Sequence, residues 1–306
     1  MAFLLPVRNV MRLTAAMLMG TVSSFAGSAA ALWNAKQTRF CIDYSETPDM
    51  AVLREYDVCI LAAEAKVDVE ALSGTGIEQG RGRRVVLGYA SLVEVRPGTK
   101  EAEAAERRGI PTVSRNAAWN TAILDITHPA WSAWVLEDLV GPALAKGFDG
   151  VFLDTIDSAV HIAPGKSAKA NASHAALVKI IHQMRKRHPE TKIIINRGFA
   201  LVPEVAKQID GMLIESLLQT WDGAQKTYAA VKKSDTEWLM RPVEQCQQHG
   251  LAVFIVDYMA AGDHALAEST AKRIAQLGCI PFVSTPDLQG IPHPLHPRTD
   301  GNTPGK

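Results

Sequence analysis

Short apolar runs rich in β-branched residues recur along the chain, and most of them end on a polar or charged residue. RFCIDY (39–44), DVCILA (57–62), RVVLGYA (84–90), GVFLD (150–154), KIIIN (192–196), GMLIES (211–216), AVFIVDY (252–258) and CIPFVST (279–285) each have the length and composition of a buried strand. Between some of them lie longer amphipathic stretches that predict helices: WSAWVLEDLVGPALAKG (131–147), HAALVKIIHQMRKRHP (174–189), VPEVAKQI (202–209) and HALAESTAKRIAQLG (264–278). His188-Pro189, Gly147 and Gly278 mark where three of these stop. Alternation of strands with helices predicts an α/β fold with a parallel sheet, and eight strands is the number that closes a (β/α)8 TIM barrel, here as a single domain. TAILDI (121–126) is a ninth strand-like run. It falls in a long excursion after the third strand, unless the barrel counts it among its eight.

The polar ends of these runs carry the candidate chemistry. GFDGVFLDTID (147–157) ends in Asp154, Thr155 and Asp157; KIIIN leads into Asn196 and Arg197; GMLIES carries Glu215; AVFIVDY ends in Asp257 and Tyr258. In a parallel barrel all these ends gather at one mouth, which also collects Asp43, Tyr44, Glu64, Tyr89 and Glu94. No serine sits in a nucleophile elbow, and GTGIEQGRG (74–82) lacks the GxxxxGK[ST] arrangement of a phosphate loop. What remains is carboxylate chemistry. Two carboxyl groups facing each other across a pocket, one protonated and one ionised, are the minimum machinery for glycoside hydrolysis. A lone strand-end acid more often caps a helix or pairs with a cation such as Arg197; the repeated placement of acids at strand ends reverses that order. Trp119 and Trp221, near the mouth, are candidates to stack on sugar rings, with core or rim packing an equal alternative.

Composition narrows the setting. In residues 1–31, Arg8 and Arg12 precede the apolar run LTAAMLMGTVSSFAG and the small residues Ala29 and Ala31, the pattern of a signal peptide. The barrel is then expected within 32–290, with no later run long enough to span a bilayer, and the protein periplasmic or secreted. The proline- and glycine-rich stretch 286–306 reads as a loosely held tail, fully so over 291–306. Its His293 and His296, with distant His249, supply no rigid metal shell. Lysine plus arginine equals aspartate plus glutamate at 32 each, which offers no support for nucleic-acid binding; a neutral chain with acids gathered at one mouth has instead a locally acidic cleft. Cys41, Cys59, Cys246 and Cys279 lack the spacing of a zinc site and read as buried free thiols, with disulfides permitted by export.

In order along the chain, GFDGVFLDTID, IIINRGF, LIESLLQTWD and FIVDY resemble the endo-α-1,4-polygalactosaminidase family of glycoside hydrolases, over residues 38–290. The resemblance implies a (β/α)8 barrel and cleavage of a galactosamine-containing polysaccharide by an endo-acting enzyme that needs no metal or other cofactor. By position, Asp154 and Glu215 match the family's two catalytic carboxylates; analogy with α-galactosidase-like barrels makes Asp154 the nucleophile and Glu215 the acid/base, with retention of configuration. Asp43, Tyr44, Tyr89, Glu94, Asp157, Asn196, Arg197, Trp221, Asp257 and Tyr258 are then expected to shape the sugar site. Two departures stand out: Val93 where a glycine is expected before Glu94, and Ala200 where related domains tend to have glutamate. The alternative function is a non-catalytic polysaccharide-binding protein on the same barrel. A Schiff-base lyase or aldolase is a distant third, since Lys192, the only strand lysine, lies at the wrong end of its strand.

Overall fold

The structure, a computed structural model, describes residues 33, 35, 37–74, 83–162 and 167–293. The signal-peptide segment, nearly all of the 74–82 loop and His296 lie outside the described residues. In chain order the strands are β1 (Phe40–Asp43), β2 (Val58–Leu61), β3 (Val85–Ser91), β4 (Glu94–Val95), β5 (Thr112–Asn116), β6 (Thr121–Leu124), β7 (Gly150–Asp154), β8 (Lys192–Asn196), β9 (Gly211–Glu215), β10 (Gln219–Asp222), β11 (Thr227–Ala230), β12 (Ala252–Tyr258) and β13 (Ile280–Ser284).

Eight of them form one sheet in the order β1-β2-β3-β7-β8-β9-β12-β13, and every neighbouring pair in it is parallel. These are the eight apolar runs identified in the sequence. Continuous hydrophobicity follows from burial on both faces, by the barrel interior on one side and by helices on the other. The sheet is rolled into a nearly closed barrel. Phe40 on β1 and Phe254 on β12 are separated in the sheet by β13, yet their rings meet edge to face at 5.0 Å, so they touch through the interior. Phe282 of β13 packs on Phe40 at 5.5 Å and Trp33 on Phe254 at 5.4 Å, which fills one end of the barrel. At Gly150 a Cβ would stand 1.9 Å from the Lys192 carbonyl oxygen, so only glycine lets β7 approach β8 at the start of the strand that delivers Asp154.

TAILDI is not a barrel strand. Its β6 lies in a small antiparallel sheet of order β4-β6-β5, in the excursion after β3. The predicted helices are present with altered limits. Residues 131–145 form one helix whose middle, Val135–Val140, is π-helical, ahead of Pro142. Ala168–Arg187 begins six residues before the predicted start because the Ser167 hydroxyl caps it, accepting from the Ala170 amide at 3.1 Å. Of the 202–209 stretch only Val202–Val205 is α-helical. Gly147 (φ 97°) and Gly278 (φ 75°) take the left-handed conformation just past the helices they terminate, as predicted.

Two elements between β9 and β12 were not predicted: the antiparallel hairpin β10–β11 and the helix Lys233–Gln248, which carries Pro242 inside it. The region after β13 also differs from expectation. Residues 286–290 are held against β1, the Tyr44 amide donating to the Leu288 carbonyl at 2.7 Å and the Gly290 amide to Asp43 Oδ1 at 2.9 Å. Leu288 is buried, so this turn closes the barrel seam and is no loose tail. All four cysteines are buried free thiols.

Candidate active site

Barrel strands four, five and six are β7, β8 and β9, and each ends in a polar residue: Asp154, Asn196 and Glu215. Asn196, on the middle strand, gives its carboxamide nitrogen to both neighbours, to Asp154 Oδ1 at 2.9 Å and to Glu215 Oε1 at 2.8 Å. Both protons of that nitrogen are thus used, and two flanking carboxyl groups fix which way the amide points. The two acceptor oxygens cannot be farther apart than these bonds laid end to end, about 5.7 Å. Asp154 Oδ2 accepts from the Tyr89 hydroxyl at 2.8 Å, and Glu215 Oε2 from the Tyr258 hydroxyl at 2.5 Å. Tyr44 packs edge to face on Tyr89 at 5.0 Å.

Burial pushes the Glu215 carboxyl above the usual carboxylate range, and the nearby charge of Asp154 adds to the shift; the bonds from Tyr258 and Asn196 oppose it. Burial likewise raises the phenols of Tyr44, Tyr89 and Tyr258 well above their ordinary value, with the Asp154 and Glu215 charges contributing. All three are neutral hydroxyls at physiological pH.

The backbone turns sharply after two of these strands. Thr155 (φ 64°) and Arg197 (φ 55°) both occupy the left-handed region, costly for a side chain with a Cβ and most so for β-branched threonine. Local bonds hold each in place. The Thr155 hydroxyl accepts from the Val93 amide at 3.0 Å and lies 3.0 Å from the Ser91 hydroxyl, tying the excursion to the residue after Asp154. Arg197 donates to the Glu215 carbonyl oxygen at 2.8 Å and pairs with Asp157 at 2.8 Å. Val93 is not among the residues with left-handed φ, so its position makes no demand for glycine. Ala200 is exposed.

Three residues expected to shape the sugar site are bonded into the scaffold around it. Asp257 is fully buried (0 % exposed) and accepts the amides of Leu217, Leu218 and Gln219 at 2.6, 2.9 and 2.8 Å, which pins the chain just after Glu215. Burial raises its carboxyl to about 6 against the lowering effect of those amides. Glu94 (5 % exposed) receives the Ser158 hydroxyl at 2.5 Å, the Asn116 amide at 3.1 Å and the Thr121 hydroxyl, joining the β5–β6 hairpin to the helix after β7. Asp43 (3 % exposed) accepts from the Ser45 amide and hydroxyl and from Gly290, at the barrel seam. Their strand-end position resembles that of Asp154 and Glu215; what separates Asp257 and Glu94 is that backbone amides and neighbouring polar side chains take up both of their oxygens, whereas Asp43 takes its three bonds through Oδ1. Glu64 is exposed.

A cleft of about 470 Å³ opens from Glu215 and Arg197 and runs between the β10–β11 hairpin and the Lys233–Gln248 helix. Trp221 is half-buried in that hairpin with its ring on Tyr228 at 4.7 Å, while Trp119 stands 66 % exposed between β5 and β6. Trp238, which no sequence signal marked, lies along the cleft. Among the described residues no three His, Cys, Asp or Glu side chains gather as a metal-binding set, and no helix is long and apolar enough to cross a membrane.

An eight-stranded parallel barrel with two facing carboxyl groups at its C-terminal mouth is the architecture of a barrel glycoside hydrolase. This chain belongs to the glycoside-hydrolase family GH114, whose family model matches residues 23–296. The glycoside hydrolase domain of PelA from Pseudomonas aeruginosa is 29 % identical, with a TM-score of 0.71 over 82 % of this chain and 95 % of that one. Ega3 of Aspergillus fumigatus, solved in complex with galactosamine, shares the fold at 15 % identity and a TM-score of 0.59, over 82 % and 92 % of the two chains. An uncharacterised protein of Deinococcus radiodurans is 30 % identical over 170 residues, 53 % of this chain and 51 % of that protein, so the match spans about half of that relative.

Proposed function

We propose that this glycoside hydrolase is an exported, endo-acting enzyme that cleaves α-1,4-linked galactosamine-containing polysaccharide with retention of configuration, through Asp154 as nucleophile and Glu215 as acid/base. The observation that carries this reading is the Asn196 bridge. It holds one oxygen of each carboxyl group, Asp154 Oδ1 and Glu215 Oε1, no more than about 5.7 Å apart, which supports the roughly 5–5.5 Å spacing of retaining enzymes over the about 6.5–9.5 Å that leaves room for a water in inverting ones. The raised Glu215 carboxyl suits it to carry the proton.

In the first step Asp154 attacks the anomeric carbon as the glycosidic bond breaks, and Glu215 gives its proton to the departing oxygen. Asp154 is then esterified to the sugar and Glu215 is ionised. In the second step Glu215 takes a proton from water, whose oxygen displaces Asp154 at the same carbon, restoring both groups. Tyr89 and Asn196 hold the Asp154 carboxylate for in-line attack; Tyr258 and Asn196 do the same for Glu215. Neither step calls for a metal or other cofactor. The four-motif resemblance supports the substrate, as does the acidic mouth formed by Asp154, Asp157 and Glu215, which favours a cationic amino sugar and stabilises oxocarbenium-like charge. The N-terminal pattern of residues 1–31 supports export.

The test is incubation with partly deacetylated galactosaminan followed by mass spectrometry of the products. A ladder of short galactosamine-containing oligomers is expected. Binding without any product would replace this reading with that of a polysaccharide-binding protein.

A further inference from the structure

The cleft beside Glu215 is more than the catalytic pocket. It is lined by Glu215, Thr220 and Asp222 on one side and by Asp235 and Trp238 of the Lys233–Gln248 helix on the other, and Asp154 is not part of its lining. Trp238 is 52 % exposed, and its ring is steadied edge to face by Phe199 at 6.0 Å. Phe199 in turn lies under the Arg197 guanidinium at 5.5 Å, so the tryptophan is tied to the segment that follows β8. A large apolar ring held at the wall of a polar cleft has no packing role that requires such exposure, and it matches the apolar face of a sugar ring.

Two acids of the cleft, Asp222 and Asp235, keep an oxygen for a ligand. Asp222 uses Oδ1 to accept the Ala224 and Gln225 amides, both at 2.9 Å, and Asp235 uses Oδ1 to accept from Ser234 at 3.1 Å. Their Oδ2 atoms accept no hydrogen bond from the described residues. Of the cations in the lining, Arg197 is engaged by Asp157 and Lys232 is exposed.

Position decides which part of a polymer lies here. The acid/base group protonates the oxygen of the departing sugar, so that sugar sits on the acid/base side of the broken bond, whereas the sugar attacked at its anomeric carbon sits over the nucleophile. The cleft adjoins Glu215 and not Asp154. Resting on the retaining two-carboxylate reading above, we infer that the groove between the β10–β11 hairpin and the Lys233–Gln248 helix binds the leaving-group side of an amino-sugar chain, with Trp238 stacking on a ring and Asp222 and Asp235 pairing with protonated amines. The groove thereby also holds the acceptor when a sugar hydroxyl replaces water in the second step.

The experiment compares kcat/KM for α-1,4-galactosamine oligomers of increasing length with that for α-galactosaminyl fluoride, whose leaving group is a single atom and leaves the groove empty. In the wild type kcat/KM relative to the fluoride rises with length. In Trp238→Ala that gain is expected to fall roughly three- to tenfold, the worth of a ring contact, and Trp238→Phe restores part of it. An undiminished gain in Trp238→Ala, in a wild type that turns over both substrates, overturns the inference alone. Turnover of neither substrate by the wild type overturns the galactosaminidase reading and this inference with it.

Discussion

Replacing Asp257 with asparagine isolates the cost of keeping a buried carboxylate under the loop that follows Glu215. The side chain is fully buried, and its carboxyl stands at about 6 in the fold against an ordinary value of 3.8. The folded state therefore holds the proton more tightly than the unfolded chain. Stability from this group is fully present below pH 3.8 and is lost as pH rises through about 6. A shift of about two pH units is worth roughly 3 kcal/mol. The substituted carboxamide does not titrate, so that segment of pH dependence vanishes in the variant, while one of the three backbone amides meets an NH2 instead of an oxygen at a cost of about 1–3 kcal/mol, present at every pH. Denaturant unfolding of both proteins between pH 4 and pH 7.5 should show the wild type losing about 2–2.5 kcal/mol relative to Asp257→Asn across that range, the rest of the effect lying below pH 4. Parallel stability curves, or a wild type that gains on the variant as pH rises, would refute the assignment of Asp257 as a buried, costly anchor.

Other outcomes follow from the site. Asp154→Asn and Glu215→Gln should each lower hydrolysis by about 10²–10⁴-fold with an unchanged circular dichroism spectrum, and full activity in either removes that residue from catalysis. Asn196→Leu takes away a bond that lowers the Glu215 carboxyl, so the basic limb of the pH profile of kcat/KM should move to higher pH as kcat falls; a limb that stays put contradicts the bridging role. Mass spectrometry of exported protein should find a mature N-terminus near Leu32, and an intact N-terminus on exported, unanchored protein would refute cleavage.

The barrel was legible because a parallel strand buried on both faces must be apolar throughout, which leaves runs such as VFLD and FIVD visible against a polar background. The hairpin β10–β11 left no such trace: QTWD is half-buried and TYAA wholly exposed, so neither carries a core pattern. The Lys233–Gln248 helix was hidden by Pro242, normally a helix breaker, and by a polar first turn. The same physics limits what strand ends reveal about chemistry. Asp43, Asp154 and Glu215 end barrel strands and Asp257 lies one residue before an end, and only tertiary structure separates the pair joined through Asn196 from the two that accept backbone amides. Trp238 lies in a helix whose position over the cleft depends on the hairpin before it, so its place beside Glu215 could not be read from spacing.

The central claim is that Asp154 and Glu215, bridged through Asn196, act by double displacement. Its most direct test is proton NMR of the sugar released in the first minutes of reaction, before the anomers equilibrate. The α-anomer appearing first is the result the account predicts. The β-anomer appearing first would mean a single displacement by water and would contradict it.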